Sequence, residues 1–544
     1  VMNLVLNTCR QRFVRGNYMN IIKIEPTSEN ITPVINAALE SIKDDCETII
    51  EFAKGTYYFG KNGSFRGMFY PSNNQSCERS VVFPIIGKKN LTIDGNDSDF
   101  IFCDRVQPFV IQNSTNIKLE NFKIDFSFLR YAFGTVSSVC DDGFEIKIDR
   151  TKFDYVVEDG HLAFIAGEDK ISTKSRKISI KGIAPKRGTR FLYSANTNAK
   201  VNTAVPSIVA VVSENTDGVY FKYCESSHKP EYQVGDILCL AYDNERDTGV
   251  FFAEFSQSIY FDEISIYRGS GMGIIAQMCS DIFVDTLKIA LKEGREEYFT
   301  TTADAVHMVN CAGKLEIKNS TITKSYDDAL NVHGNYFFVS KVISDRIVEI
   351  ECRHHEQTGL IPCLKGDRIS VNDSNTMNEV GIVTVEDINY DQNRERIMVI
   401  FQENINGFIS EGDIFENIDR APDLIVENCI ITDCPRMLVS SSKKAFIRNN
   451  ILALNSSDIR IYDSLQYWYE SGAVGTVVIA DNKFINPANN TNIVIGSNRP
   501  ANSNRLHEEV YIIDNYFRNE KENAIKVSRV KKLVENNNKF GTDV

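Results

Sequence analysis

Between residues 302 and 334 the chain reads Thr302-Ala303-Asp304-Ala305-Val306-His307 and then Tyr326-Asp327-Asp328-Ala329-Leu330-Asn331-Val332-His333-Gly334. Asp304 precedes Asp327 by 23 residues, and His307 precedes His333 by 26. If that spacing is one coil of a repeating chain, residues one coil apart lie side by side, with about 4.8 Å between backbones. Three carboxylates so placed cannot all ionise at ease, so at least one should keep its proton. A carboxylic acid beside a carboxylate is what glycosidic cleavage requires, one to protonate the leaving oxygen and one to activate water or attack. An isolated Asp-Asp pair is ordinarily a solvated turn; the third aspartate and two histidines at matching offset set this one apart. The set Asp304, His307, Asp328 and His333 also has the donor types of a divalent-cation site, a competing reading that the spacing leaves open.

Sugar binding needs flat apolar faces and fixed polar groups. Trp468, the chain's only tryptophan, stands beside Tyr467 and Glu470 and is a candidate sugar platform, with Glu470 as a ligand beside it. Arg295, Arg436, His307 and His333 are candidate hydroxyl ligands; each could equally be a coil-edge residue tied to backbone carbonyls. His354 and His355 would point to opposite faces of a strand and read as structural. The preferred reading calls for no metal ion and no cofactor.

What must position these residues is a repeat. Asn90-Leu91-Thr92-Ile93-Asp94-Gly95 is echoed by Asn116-Ile117-Lys118-Leu119-Glu120-Asn121, Ile259-Tyr260-Phe261-Asp262 and Ile282-Phe283-Val284-Asp285. Leu315-Glu316-Ile317-Lys318-Asn319, Leu424-Ile425-Val426-Glu427-Asn428, Phe446-Ile447-Arg448-Asn449, Ile479-Ala480-Asp481-Asn482 and Ile512-Ile513-Asp514-Asn515 follow. Alternating apolar residues leading to an Asn or Asp corner, at spacings of 22 to 33 residues, predict an all-β fold, a right-handed parallel β-helix (solenoid). A sandwich of short strands is the lesser alternative. Before the repeat, Thr32 as cap, Pro33 in the first turn and Ile35, Ala38, Leu39 and Ile42 on one face predict a helix closing the core. Two segments with their own strands and Gly-Asp turns, 133–247 and 334–416, predict inserted small β-barrels able to wall a cleft. The expected domains are thus 1–132 (cap helix and first coils), 133–247, 248–333 (coils with the aspartates), 334–416 and 417–544 (last coils).

Composition narrows the function. With 60 basic against 73 acidic residues the net charge is −13, which disfavours a nucleic-acid partner. Thirteen cysteines without a CxxC pair read as core residues rather than a disulfide framework. No run of about 18 apolar residues suggests a membrane span. Residues Val1 to Tyr18 lack a signal-peptide core.

These residues resemble glycoside hydrolase family 110, the bacterial exo-α-1,3-galactosidases that remove galactose from blood-group-B-type and related glycans. The resemblance runs from near Thr32 to about Phe517. It is densest at Thr302 to His307 with Cys311 and Gly313, at Asp327 to Gly334, and at Trp468-Tyr469-Glu470-Ser471-Gly472. It implies a β-helix with inserted β-barrels and inversion without a metal. It also implies Asp327 as general acid with Asp304 and Asp328 holding and deprotonating water, an exchange between Asp327 and Asp328 remaining open. The expected partner is an oligosaccharide with terminal galactose, and the expected location is the bacterial periplasm or cell surface. The first twenty residues depart from the family pattern, which bears on export and not on catalysis. The three-aspartate layout is also similar to that of the β-helical polygalacturonases. A uronate-acting enzyme would want a basic cleft, against which the acidity counts; a non-catalytic carbohydrate-binding solenoid is the reading from another class. No oligomeric state is read from the sequence.

Overall fold

The structure is a computed structural model that describes residues 6–14, 17–42, 46–166, 169–172, 179–184, 208–214, 218–223, 232–241, 248–295, 297–463, 465–485, 491–504 and 506–541. Val1, and within the expected first insertion residues 185–207, 224–231 and 242–247, lie outside the described residues. Two compact units emerge, one of 1–101, 106–125 and 247–544, the other of 102–105 and 126–246.

In the larger unit the repeat becomes a stack of parallel strands. Thr115–Phe126, Gln257–Ile266, Ser280–Asp285, Ala312–Lys318, Asp423–Glu427, Ser442–Arg448, Val474–Ala480, His507–Ile513 and Val530–Asn536 pair in that order, coil on coil. Their alternation sends every second residue inward. The column Ile117, Ile259, Ile282, Leu315, Leu424, Ala445, Val477, Val510 is buried throughout, each member covering the apolar edge of the one before. Asn or Asp residues at the corners take the left-handed conformation, as Asn319 (φ 51°), Asn428 (φ 57°) and Asn449 (φ 56°) show, because a short polar side chain tolerates it. The coils' interior also carries a ladder of amides, Asn450 to Asn482 to Asn515 to Asn538, joined by bonds of 2.9, 3.1 and 3.1 Å.

A second parallel sheet runs beside the first. Its strands Gln107–Gln112, Phe251–Glu254, Ile274–Gln277, Val306–Val309, Leu330–Val342, Met437–Val439, Ile459–Asp463, Ile493–Ser497 and Ile525–Val527 also follow coil by coil. Together the two sheets make this a parallel β-helix.

Leu330–Val342 does not stop at the solenoid. Its second half pairs antiparallel with Ile347–Glu351, and the order continues through Ile397–Phe401, Glu379–Tyr390, Arg368–Asn372 and Ile414–Asn417 back to Leu330–Val342. This is a closed six-stranded barrel, filled by Phe337, Val339, Val348, Ile350, Val399 and Phe415 among others. Closure leaves no edge strand. The smaller unit holds a six-stranded antiparallel sheet, Ser179–Ala184, Ile237–Ala241, Tyr131–Val139, Gly143–Ile148, Val219–Tyr223 and Ile208–Glu214, and a three-stranded one, Tyr155–Glu158, His161–Ala166 and Asp169–Ser172. Among the described residues its two outer strands are not paired with each other.

The early helix is Thr32–Ser41, and its cap is shifted from the expected Thr32 to Ile31, which makes no side-chain capping bond. Asn30 Oδ1 takes the Thr32 N–H at 3.0 Å instead, freeing the Thr32 hydroxyl to donate to Gly60 O at 2.9 Å. The buried face is Val34, Ile35, Ala38 and Leu39, and Asn36 ties the helix to strand Cys77–Ile86 through Val82 O at 2.9 Å.

Candidate active site

Register decides which residues meet. Val306 is level with Leu330, an offset of 24, so Asp304 is level with Asp328 rather than Asp327. The Ala305 N–H donates to Asp328 O at 2.9 Å and fixes that alignment. On the next coil the Ala329 N–H donates to Arg436 O at 2.8 Å, and one coil further Leu438 is level with Arg460. One row of the sheet's outer face therefore reads His307, Asn331, Leu438, Arg460, with Asp304, Asp328 and Arg436 just before the strands.

The carboxylates are withdrawn from water. Asp304 is 4% and Asp328 2% exposed, whereas Asp327 is half-buried. Both Asp328 oxygens lie 3.1–3.2 Å from Arg436 Nε. Burial pushes the Asp328 carboxyl well above the usual carboxylate range; Arg436 opposes the rise, and Asp327, Asp304 and Glu470 add to it. Asp327 Oδ1 accepts the Asp328 N–H at 3.1 Å. Arg460, stacked over the Tyr462 ring at 4.5 Å, brings a second guanidinium, held below its ordinary pKa by burial and by Arg436.

His307 and His333 come together although their coils are out of step by two residues, since side chains two apart share a face. His307 Nδ1 is 2.7 Å from Asp304 Oδ2, the two Nε2 atoms are 3.2 Å apart, and His333 Nδ1 is 2.6 Å from Gly334 O. Every ring nitrogen of the pair is thus engaged by protein, and both side chains are fully buried. The two rings face one another, 5.0 Å between centroids, and are closed off from solvent. Among the described residues no three His, Cys, Asp or Glu side chains converge as ligands of a metal ion.

A two-residue strand delivers Glu470. Glu470–Ser471 pairs antiparallel with Gly334 and Asn335, and this approach needs glycine: a Cβ on Gly334 would stand 2.4 Å from Ser471 Oγ. At Gly472, with φ 145°, a Cβ would meet Ser440 O at 2.3 Å. So held, Glu470 Oε1 accepts from Asn331 Nδ2 at 3.1 Å and from Asn73 Nδ2 at 3.4 Å, and lies 3.7 Å from His333 Nε2. Trp468, half-buried, packs on the His354 ring at 4.0 Å between centroids, while the neighbouring Tyr467 is 65% exposed. Gln357 Nε2 donates to Trp468 O at 2.6 Å. His354 thus meets Trp468 from the barrel, a role that strand alternation could not show.

The structure brings Asp304, Asp327, Asp328, His307, His333, Arg436 and Glu470 into one cluster, with Trp468 two residues from Glu470. It does not bring Arg295, which forms a two-pronged ion pair with Asp125, Nη1 to Oδ1 at 3.0 Å and Nη2 to Oδ2 at 2.5 Å. Asn331 and Arg460 were missed by sequence reading. Counting two residues along from Ala329 would have flagged Asn331; Arg460 sits in a coil whose echo is weak.

No family model matches the chain. It is similar to an alpha-1,3-galactosidase A of Shewanella woodyi, 27% identical over 95% of this chain and 84% of that protein. It is also similar to an alpha-1,3-galactosidase B of Bacteroides thetaiotaomicron, 24% identical over 91% of this chain and 81% of that protein. Among solved structures, a polygalacturonase of Erwinia carotovora aligns over 99% of this chain and 96% of its own at 8% identity, with a TM-score of 0.37. Likeness along nearly the whole sequence to enzymes that share the name alpha-1,3-galactosidase supports the resemblance to glycoside hydrolase family 110.

Proposed function

We propose that the chain is an exo-acting enzyme that hydrolyses terminal α-1,3-linked galactose from blood-group-B-type or linear α-Gal glycans by an inverting acid/base mechanism. The observation that carries the mechanism is the level placement of Asp304 with Asp328. Neighbours on adjacent coils, about 4.8 Å apart at the backbone, are too close to stand across a sugar and a water, which takes roughly 6.5–9.5 Å between carboxyls. Asp304 and Asp328 therefore serve one side of the sugar, where they hold water, and Asp327 serves the other, where it protonates the leaving oxygen. A carboxyl with raised proton affinity is a stronger base, and Arg436 favours its ionised form, so Asp328 suits removal of the water proton. Trp468 and Tyr467 offer the apolar face for galactose, with Glu470 near them. Arg295, His307 and His333 have no part in holding the sugar in this reading.

The substrate and the exo mode rest on the family resemblance, as does export to the periplasm or cell surface, which fractionation of the producing cell would test. The deciding experiment is proton NMR of the first-formed sugar from an α-1,3-galactoside. A single displacement releases β-galactose first, before mutarotation mixes the anomers. Release of α-galactose first, with transfer to added methanol, would overturn the assignment. A polygalacturonase-like enzyme would instead release uronic acids and leave galactosides intact.

A further inference from the structure

The contacts running from Asp304 through the two imidazoles fix a proton count. A carbonyl oxygen only accepts, so His333 Nδ1, 2.6 Å from Gly334 O, carries a proton. The Nε2 to Nε2 contact of 3.2 Å and the Asp304 Oδ2 to His307 Nδ1 contact of 2.7 Å each join two atoms able to accept, so each needs one proton as well. Three protons are required, and two neutral imidazoles bring two. The third makes Asp304 an acid or one imidazole a cation, and the three side chains together carry no net charge.

We propose that the third proton resides on His307, held as an imidazolium by acceptance at His333, and that this pair is a positioning device keeping Asp304 an ionised, poorly basic ligand of the water. An imidazole binds a proton about 2.6 pH units more tightly than an aspartate does in water. The acidic groups facing the pair favour a cation: Asp304 lies 2.7 Å from His307 Nδ1 and Glu470 3.7 Å from His333 Nε2, and Asn331 and Asn73, which hold Glu470, are neutral. His307 has the Asp304 carboxylate at 2.7 Å where His333 has a neutral carbonyl, which puts the charge on His307; burial lowers the proton affinity of His333.

The inference deepens the reading of Asp304 as a water-holding carboxylate and rests on it for its catalytic meaning. With Oδ2 taken by an imidazolium, Asp304 orients the water and Asp328 takes its proton. The water oxygen then bonds to the anomeric carbon, the glycosidic bond breaks, and the Asp327 proton passes to the leaving oxygen. Two aspartates that sequence treats as a pair thereby divide one task.

The test is NMR of the full chain labelled at the histidine ring nitrogens, together with His333→Gln and His333→Phe. At about pH 8, above the ordinary imidazole value of about 6.5, exposed histidines have lost their second proton, and one histidine should still carry both. In His333→Gln the amide oxygen accepts from His307 Nε2 and that signal persists; in His333→Phe it is lost. Activity needs the imidazolium, so it falls as pH rises through the His307 pKa. The alkaline limb of kcat/KM should move down by about one pH unit in His333→Phe and stay in place in His333→Gln. Absence of a doubly protonated histidine in the wild type overturns the proposal, and so does an unmoved limb in His333→Phe. If that variant does not fold, the wild-type spectrum decides. A chain that leaves every galactoside intact while showing the signal refutes the proposed function and upholds the proton count.

Discussion

Two stacks of polar side chains lie on the coils of one solenoid. From Asn450 to Asn538 each amide donates to the next and accepts from the one before, a neutral series in which each link repeats. From Asp304 to Asp328 the same coil spacing stacks carboxylates, which only accept when ionised, and the protein answers with Arg436 on one side and His307 on the other. Amides in register satisfy each other; carboxylates in register need outside donors, and Asp328 keeps a raised affinity for its proton. On the proposed mechanism, stability belongs to the first stack and reactivity to the second.

The comparison breaks most sharply at the acid and base. Asp327→Asn and Asp328→Asn should each lower turnover at least about a hundredfold while leaving the fold intact, because acid and base assistance each supply roughly 10² to 10⁴ in rate; kinetics with wild-type-like activity in either variant would end the carboxylate assignment. Asn482→Ala should do the reverse. It removes two ladder bonds and strands their buried partners, a loss of about 2 kcal/mol measurable by denaturant melting, with kcat/KM unchanged. Arg436→Gln probes the join between charge and function: without the guanidinium the Asp328 pKa rises, so the acidic limb of the rate profile should move to higher pH by about one unit.

A subtler contrast lies in the pH dependence of stability. Asp328 binds its proton more tightly folded than unfolded, so its contribution is full below the unfolded value of about 3.9 and is lost as pH rises through the higher folded value. Thermal melts of Asp328→Asn should lack that decline, and parallel curves for wild type and variant would refute the buried carboxyl's role. The smallest expected effect is none: exhaustive chelation should leave activity unchanged, and loss restored by calcium, zinc or manganese would reopen the cation reading of the His307 and His333 pair.

Much of this was legible because a solenoid writes its geometry in its period. The corner asparagines, the alternating strands and the crowding of Asp304 with the Asp327-Asp328 pair all follow from residues recurring once per coil. The period is not constant, however, so spacing puts Asp304 beside the Asp327-Asp328 pair without choosing between them, and the backbone bonds set it level with Asp328. The histidines were seen to share an edge, but their ring partners, including a backbone carbonyl, left no mark in residue spacing. Partners brought in across the fold were the least visible. Asp125 claims Arg295 from 170 residues away, and Asn73 reaches Glu470 across 397. His354 looked structural by alternation and proves to be the floor under Trp468.

Strand Leu330–Val342 carries Asn331 and His333 in its first half and the barrel's Phe337 and Val339 in its second, with no turn between them. A strand without a break has no hinge. The barrel cannot swing over the aspartates as a lid without tearing the ladder that aligns them, so within this unit the mouth of the site is set once, during folding. Turnover then carries no opening and closing step of the barrel, which stays where folding has put it.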